Sequence, residues 1–393
     1  MCGRAVHDPL LIDRLFDNSF TVTMPRRIAI LGASGAVGSA LAVHILRARL
    51  LEPADQLLLV GRGALANEHR LLSMRVDLLD AFDDQRVHIE VVPDIPDVEA
   101  DIVLVAAGTR FSSKVPSRRA FGATNRAIFE RIAGQCVPRL SRALFIVVSN
   151  PVELAVKILS SAIDRERVIG MGAQQDSLRF ARAIAVDLEI SRHDVRASVL
   201  GEHGLGMIPL WRSVELMQDN PHAADRLADL RARSAESPIE ARVANLLSAV
   251  QQLVFMDRIA EAYELTRNAL PDARIVVEPY ITFHSLRSTP NATANAAVQV
   301  IAAAAANDGR RIHGQVDVKG EVAGLHGVCG VPVTIGLDGW RPEPLDWLNP
   351  EEIRAIQKST QSTEEFISKT LIDAVRATLT PEALLAIDLT AAR

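Results

Sequence analysis

The chain has 393 residues, 48% of them hydrophobic and 23% charged, a globular composition with apolar mass for more than one core, which excludes disorder as the main state. Its 43 basic and 48 acidic residues leave a net charge of −5, so there is no overall electrostatic footprint for nucleic acid or an anionic membrane. The three cysteines, Cys2, Cys136 and Cys329, form no CxxC pair; this excludes a disulfide framework and a cysteine-built zinc site, and fits a reducing compartment, so a cytoplasmic location is expected.

In chain order, residues 1–23 carry Asp8, Asp13 and Asp17 and lack a basic n-region and an apolar h-region, so they read as an extension ahead of Met24 and not as a secretory signal. From Arg26 the pattern is strand, glycine turn, helix: the apolar run 28–31, then Gly32-Ala-Ser-Gly35-Ala-Val-Gly38, then helical spacing from Ser39 to Leu50. Apolar runs follow at 56–60, 87–92, 101–107 and 144–149, with helical stretches near 64–80 and 119–135. Fully apolar strands alternating with helices predict a doubly wound parallel sheet covered on both faces, over residues 24–151. Residues 152–393 predict a mixed α+β domain, with helices at about 152–162 and 174–189 and strands at 194–200 and 314–336. Within it, Ser237-Pro238-Ile239-Glu240 offers an N-cap serine, a proline at the first helical position and a capping-box glutamate. The stripe Val243, Leu246, Leu247, Val250, Leu253, Val254 and Ile259 predicts one long helix to about Asn268. An Ala-rich helix is expected at 292–306. Arg47 and Arg49 interrupt the first helix and the run 301–306 is short, so no segment reaches the ~18 apolar residues of a membrane span.

Glycines at 32, 35 and 38 directly after a strand let the backbone turn tightly and bring the amides of Ser34, Ala36 and Val37 up to a pyrophosphate at a helix N-terminus. Alone the pattern is weak, since glycines also pack helices on sheets; with strand, helix and second strand in place, dinucleotide binding is expected. The second strand ends at Val60 and is followed by Gly61-Arg62-Gly63, without the carboxylate that bonds a ribose 2′-OH. A guanidinium there suits a 2′-phosphate, so the coenzyme is NAD or NADP, with Arg62 either on the phosphate or simply in water.

Four later segments carry the chemistry: Ala107-Gly108 leading into a polar loop with Arg118, Ser149-Asn150-Pro151-Val152, the helix opening Gly172-Ala-Gln-Gln-Asp176-Ser-Leu-Arg179, and Gly201-Glu-His203-Gly204. An imidazole can give or take a proton near neutrality, and a carboxylate on its other nitrogen fixes the tautomer. Arg179 lies one helical turn after Asp176, on the same face, and a guanidinium fork can hold a carboxylate through two parallel bonds. With these motifs in this order the sequence resembles the lactate/malate dehydrogenase superfamily, closely over 25–210 and again over about 290–375. The resemblance implies His203 as acid–base, Asp176 as its prop, Arg179 as carboxylate anchor and Asn150 on the substrate oxygen and nicotinamide. It implies Arg118 on a closing loop, with Arg110 and Arg119 as competitors for that role, Thr293 as a pocket residue, and Ala107, Gly108 and Asn125 against the coenzyme.

The family reads its substrate six residues before the loop arginine, which is Ser112 here; one extra loop residue leaves Phe111, Ser112 or Ser113 at the site, none of them charged. Arg110 or Lys114 could still reach a distal carboxylate, so malate/oxaloacetate and lactate/pyruvate-like acids both stand. Roughly 40 extra residues fall within about 212–285 and predict a helical insertion on the substrate domain, at the pocket mouth, at a subunit contact, or as a surface excursion. No metal is expected, because His284, His313 and His326 fall in no ligand spacing. The glycine turn also suits a short-chain reductase, but Tyr263 and Tyr280 are followed four residues on by Arg267 and His284, not lysine. The expectation is an NAD(P)-dependent 2-hydroxyacid dehydrogenase acting on a small 2-oxo/2-hydroxy acid, with no nucleic-acid or membrane partner. The resemblance implies a homodimer or homotetramer. The rival is a non-catalytic NAD(P) sensor or scaffold that keeps the fold.

Overall fold

In the computed structural model the described residues are 26–61, 65–109, 121–286 and 288–376. The expected site residues Arg62, Ser112 and Arg118, with their neighbours Arg110, Phe111, Ser113, Lys114 and Arg119 and the extension 1–23, lie outside them.

The first half alternates β1 (Arg27–Leu31), α1 (Ala36–Arg47), β2 (Gln56–Val60), α2 (Leu65–Phe82), β3 (His88–Val92), β4 (Ile102–Val105), α3 (Phe121–Leu140), β5 (Leu144–Val147), α4 (Val152–Ser160) and β6 (Val168–Gly170). These six strands pair in parallel in the order β3-β2-β1-β4-β5-β6. The parallel sheet thus runs on to Gly170, beyond residue 151 where the sequence pattern places the end of the first domain. Successive side chains of a strand point to opposite faces, and here both faces are buried. Ile28, Ile30, Leu57, Leu59, Ile102 and Leu104 join the core that includes Leu41 and Ile45 of α1. Ala29, Leu31, Leu58, Val60, Val103 and Val105 join the core of Phe129 and Ile132 in α3 and Leu159 in α4. That two-sided burial is why the strands read as unbroken apolar runs. The strand order reverses between β1 and β4, which opens a crevice at their carboxyl ends.

The second half comprises α5 (Gly172–Leu188), β7 (Val195–Gly201), β8 (Met207–Leu216), α6 (Pro221–Ala235), α7 (Ile239–Phe255), α8 (Ile259–Arg267), α9 (Pro271–Leu286), α10 (Pro290–Ala306), β9 (Ile312–Lys319), β10 (His326–Gly336), β11 (Gly339–Pro342) and α11 (Pro350–Arg376). Its strands are antiparallel, and a single pair, Gly170 with Gln315, joins β9 to β6, so one 11-stranded sheet spans the chain. The Ala-rich α10 packs against α1 through small side chains such as Ala294 and Ala297.

The single helix expected over 239–268 is two. Asp257 adopts φ 58°, and Arg258 N–H closes back onto Leu253 O at 2.8 Å, ending α7 before α8 begins. The hydrophobic stripe continues across the break because both helices face one small cluster, Val250, Val254 and Ala262 against Val277 and Ile281 of α9. Ser237 is not the cap: Pro238 is, in extended conformation and without a side-chain cap bond. The Ser237 carbonyl instead accepts from Arg242 Nε at 3.2 Å.

Two buried ion pairs fix the start of α9. Asp272 receives both terminal nitrogens of Arg242 of α7 at 2.6 and 2.8 Å and the Trp211 indole N–H at 2.8 Å. Arg274 reaches back to both oxygens of Asp187 on α5 at 2.9 Å. Among the described residues no helix is long and apolar enough to cross a membrane.

Candidate active site

A cavity of about 580 Å³ lies between the halves, at the β1/β4 reversal, and is bordered by α9 and α10. Its floor is the glycine turn. Gly32 takes φ 86°, and a Cβ there would stand 2.8 Å from the Ala107 Cα, so the end of β1 packs directly on the end of β4. Gly38 is pressed against Gly32 and Ala33, where a side chain would meet backbone. Gly35 starts α1 without a side-chain cap, and Ser34, Gly35, Ala36 and Val37 line the cavity. Uncapped amides at a helix N-terminus, with no acidic residue in the first turn, fit the pyrophosphate of a dinucleotide.

Beside the turn, Gly108, Asn125 and Asn150 also line the cavity. The Asn125 side chain is committed to protein: Oδ1 accepts from Thr109 N–H at 2.8 Å, and Nδ2 donates to the Asn150 carbonyl at 2.7 Å. It braces the β4 loop against the segment that carries Asn150. Ser149 adds to this brace, its hydroxyl donating to the Val105 and Ala107 carbonyls at 2.9 and 2.7 Å.

His203 follows β7, whose last residue Gly201 has φ 82°. Its Nδ1 lies 2.6 Å from Asp176 Oδ2, and both side chains are buried. The second oxygen of Asp176 accepts from Arg179 Nη1 at 2.9 Å. An ionised carboxylate only accepts, so Nδ1 carries the hydrogen, and neutral imidazole keeps Nε2 as its basic nitrogen. The His203 backbone N–H donates to the buried Glu153 carboxylate at 2.6 Å. Gly172 makes room for the ring: a Cβ there would stand 2.7 Å from the His203 Cβ and 2.9 Å from Nδ1.

Arg179 Nη2 also donates to Thr289 Oγ1 at 3.4 Å; that oxygen receives Gln175 Nε2 at 3.2 Å and lies 3.2 Å from the Thr293 hydroxyl. His203, Arg179, Asn150 and Thr293 therefore meet on one cavity, with Asp176 directly behind the first two. Thr289, Gln175 and Glu153 were not anticipated, because their partners are distant in sequence and no local spacing marks them. Arg70 of α2 and Pro279, Phe283 and Leu286 of α9 also line the cavity. Tyr263, one of the two tyrosines weighed and set aside for a short-chain reductase, bonds Thr282 at 3.0 Å inside the inserted cluster.

Burial pushes the Cys136 and Cys329 thiols up to about 12, so neither is a thiolate near neutrality. Among the described residues no group of three or more His, Cys, Asp or Glu is placed to hold a metal ion.

A Rossmann-type sheet joined to a mixed second half, with a cavity at the strand-order reversal, defines a dinucleotide-binding enzyme fold. The family described as lactate/malate dehydrogenase, NAD binding domain, matches residues 26–170, ending with the last parallel strand. The L-2-hydroxycarboxylate dehydrogenase (NAD(P)(+)) of Methanocaldococcus jannaschii is 26% identical, over 86% of this chain and 97% of that protein. An L-lactate dehydrogenase A of Hordeum vulgare is 32% identical over 48% of this chain and 52% of its own length. In fold, the chain superimposes on the malate dehydrogenase of Plasmodium falciparum with TM-score 0.69 at 21% identity, covering 88% of this chain and 98% of that one. The match over residues 26–170 and these relatives support the lactate/malate dehydrogenase superfamily, an oxidoreductase family with an NAD-binding Rossmann domain, as the one this chain resembles.

Proposed function

We propose that the chain interconverts a 2-oxo acid and its 2-hydroxy acid at the expense of NAD(P)H or NAD(P)+. The observation that carries this reading is one buried carboxylate, Asp176, holding both His203 and Arg179 on a cavity floored by the glycine turn. Arg179 holds the substrate C1 carboxylate; its guanidinium is already oriented by Asp176 and Thr289, which lowers the ordering cost of a bidentate pair. His203 gives a proton to the C2 oxygen in the reductive direction and takes it back in the oxidative one. Asp176 keeps the required tautomer and stabilises the imidazolium. Asn150 and Thr293 border the reacting carbon, and Arg118, outside the described residues, would supply the guanidinium that polarises the carbonyl, as the resemblance implies. A bound nicotinamide supplies or accepts the hydride at C2. A sensor that had lost turnover would have no use for a carboxylate shared between an acid–base and an anion anchor.

Gly32, Gly35 and Gly38, with Ser34, Ala36, Val37, Ala107 and Gly108, form the coenzyme seat in this reading. The relative from Methanocaldococcus jannaschii is named for both coenzymes, and Arg62, with Arg70 on the cavity, would supply guanidinium groups for a 2′-phosphate. The test is a matrix of oxaloacetate, pyruvate and larger 2-oxo acids against NADH and NADPH, read as absorbance loss. Turnover of at least one pair, abolished by 10² to 10⁴ or more in His203→Ala, is the expected result. No turnover of any pair, or undiminished turnover in that variant, refutes the reading. Arg62→Ala should weaken NADPH selectively.

A further inference from the structure

With C1 on Arg179 and the C2 oxygen at His203, the third substituent of the substrate has one further wall to face among the described residues. That wall is α9, whose Pro279, Phe283 and Leu286 line the cavity at spacing i, i+4, i+7. They form one apolar stripe about 10 Å long. The wall runs beside the carboxylate anchor. Arg182, one turn after Arg179, lies 4.0 Å from Glu278 of α9, and Thr289, just past the end of α9, bonds Arg179 itself. Among the described lining residues the only other guanidinium is Arg70, on α2 of the dinucleotide half. Among the described residues this wall offers a second substrate carboxylate hydrocarbon and no cation.

The wall is also backed. Val277 and Ile281 turn away from the cavity into the cluster formed with α7 and α8, and the first turn of α9 is clamped by the Arg242–Asp272 and Arg274–Asp187 pairs. The inserted helices contact the rest of the chain chiefly through α9, so they hold this apolar surface in place against the substrate.

We propose that the substrate is a 2-oxo acid whose C3 carries an apolar branched or aromatic group, and that Phe283 is its specificity-determining residue. The proposal rests on the dehydrogenase reading above. Each buried methylene is worth about fourfold, so a four-carbon branched group gains on the order of 60-fold over a methyl.

The test measures kcat/KM of the full chain for oxaloacetate, pyruvate, 4-methyl-2-oxopentanoate and phenylpyruvate with the preferred coenzyme. The expected order places the last two above pyruvate by tenfold or more and oxaloacetate lowest. In Phe283→Ala the ratio of 4-methyl-2-oxopentanoate to pyruvate should fall about tenfold; if that variant does not fold, Phe283→Leu should move the same ratio in the same direction by a smaller factor. A preference for oxaloacetate or pyruvate, or a ratio untouched by either substitution, overturns the proposal. Calorimetric titration of the NADH-loaded protein with oxamate and N-isobutyl oxamate separates the two readings, because it needs no turnover. Tighter binding of the alkylated analogue by tenfold or more without turnover would leave the wall standing and sink the dehydrogenase reading. Equal or weaker binding overturns the wall, whatever the activity.

Discussion

Replacing Gly172 with alanine tests whether the position of the imidazole governs the chemistry. Alanine in place of glycine should by itself favour the helix by about 1 kcal/mol. Here the new Cβ would stand 2.7 Å from the His203 Cβ and 2.9 Å from Nδ1, against about 3.5 Å for comfortable carbon contact. Because the new Cβ presses most closely on the ring carbon Cγ, the ring must shift by roughly 1 Å. It has no slack to do so: Nδ1 is 2.6 Å from Asp176 and the backbone N–H is 2.6 Å from Glu153. Displacing it stretches a hydrogen bond to a charged group worth about 1.5–3 kcal/mol. The clash outweighs the helix gain, and Gly172→Ala should be destabilised by about 1 kcal/mol. A misplacement near 1 Å costs about 10²-fold in rate. The assay is kcat at saturating substrate from NADH absorbance, with NADH affinity measured separately by fluorescence. The expected result is a hundredfold drop in kcat at near-normal coenzyme affinity. A kcat within threefold of the parent, with an unchanged urea midpoint, would refute the reasoning.

Asp176→Asn keeps the shape but removes the charge that fixes the tautomer, and kcat should fall by about 10³ to 10⁴; the check is the steady-state rate alongside a circular dichroism spectrum showing the fold intact. Asp272→Ala leaves Arg242 and the Trp211 N–H without their buried acceptor, and urea unfolding should show a loss of about 3–5 kcal/mol. Acid stability should carry a signature of His313, which burial, helped by Arg311, holds down to about 4. Its folded value lies below the ordinary 6.5, so the unfolded chain binds more protons between those limits, and stability falls as pH drops through that window. The loss approaches 3 kcal/mol on order of magnitude by pH 4. His313→Gln should show a flatter stability profile from pH 7 to 4.5 than the parent, and parallel profiles would refute the assignment.

The parallel sheet is legible in the sequence because strands buried on both faces have no choice but continuous apolar runs, and the glycine turn because Gly32 and Gly38 stand where any Cβ meets backbone. Asp176 and Arg179 are legible as a pair because one helical turn carries both, and His203 as their partner because the resemblance implies it. What escapes is what depends on distant partners. Strand β6 is only three residues, too short for a period, and β11 exists through pairing with β10. The break at Asp257 is hidden because a non-glycine residue adopts the left-handed conformation while the apolar stripe continues. Nothing near Thr289 or Phe283 in sequence announces that the fold carries them to Arg179, more than a hundred positions earlier.

Because the added hairpin meets the rest of the molecule mainly through one rod, α9, a change on that outlying surface would reach the cavity along it. Substitutions at Val250, Val254 or Ala262 would touch none of the proposed catalytic groups and, on the proposed reading, would act on substrate only through the α9 wall they pack against. Such an architecture would let selectivity drift under changes remote from the reacting atoms, while the proposed acid–base pair and anion anchor stay untouched.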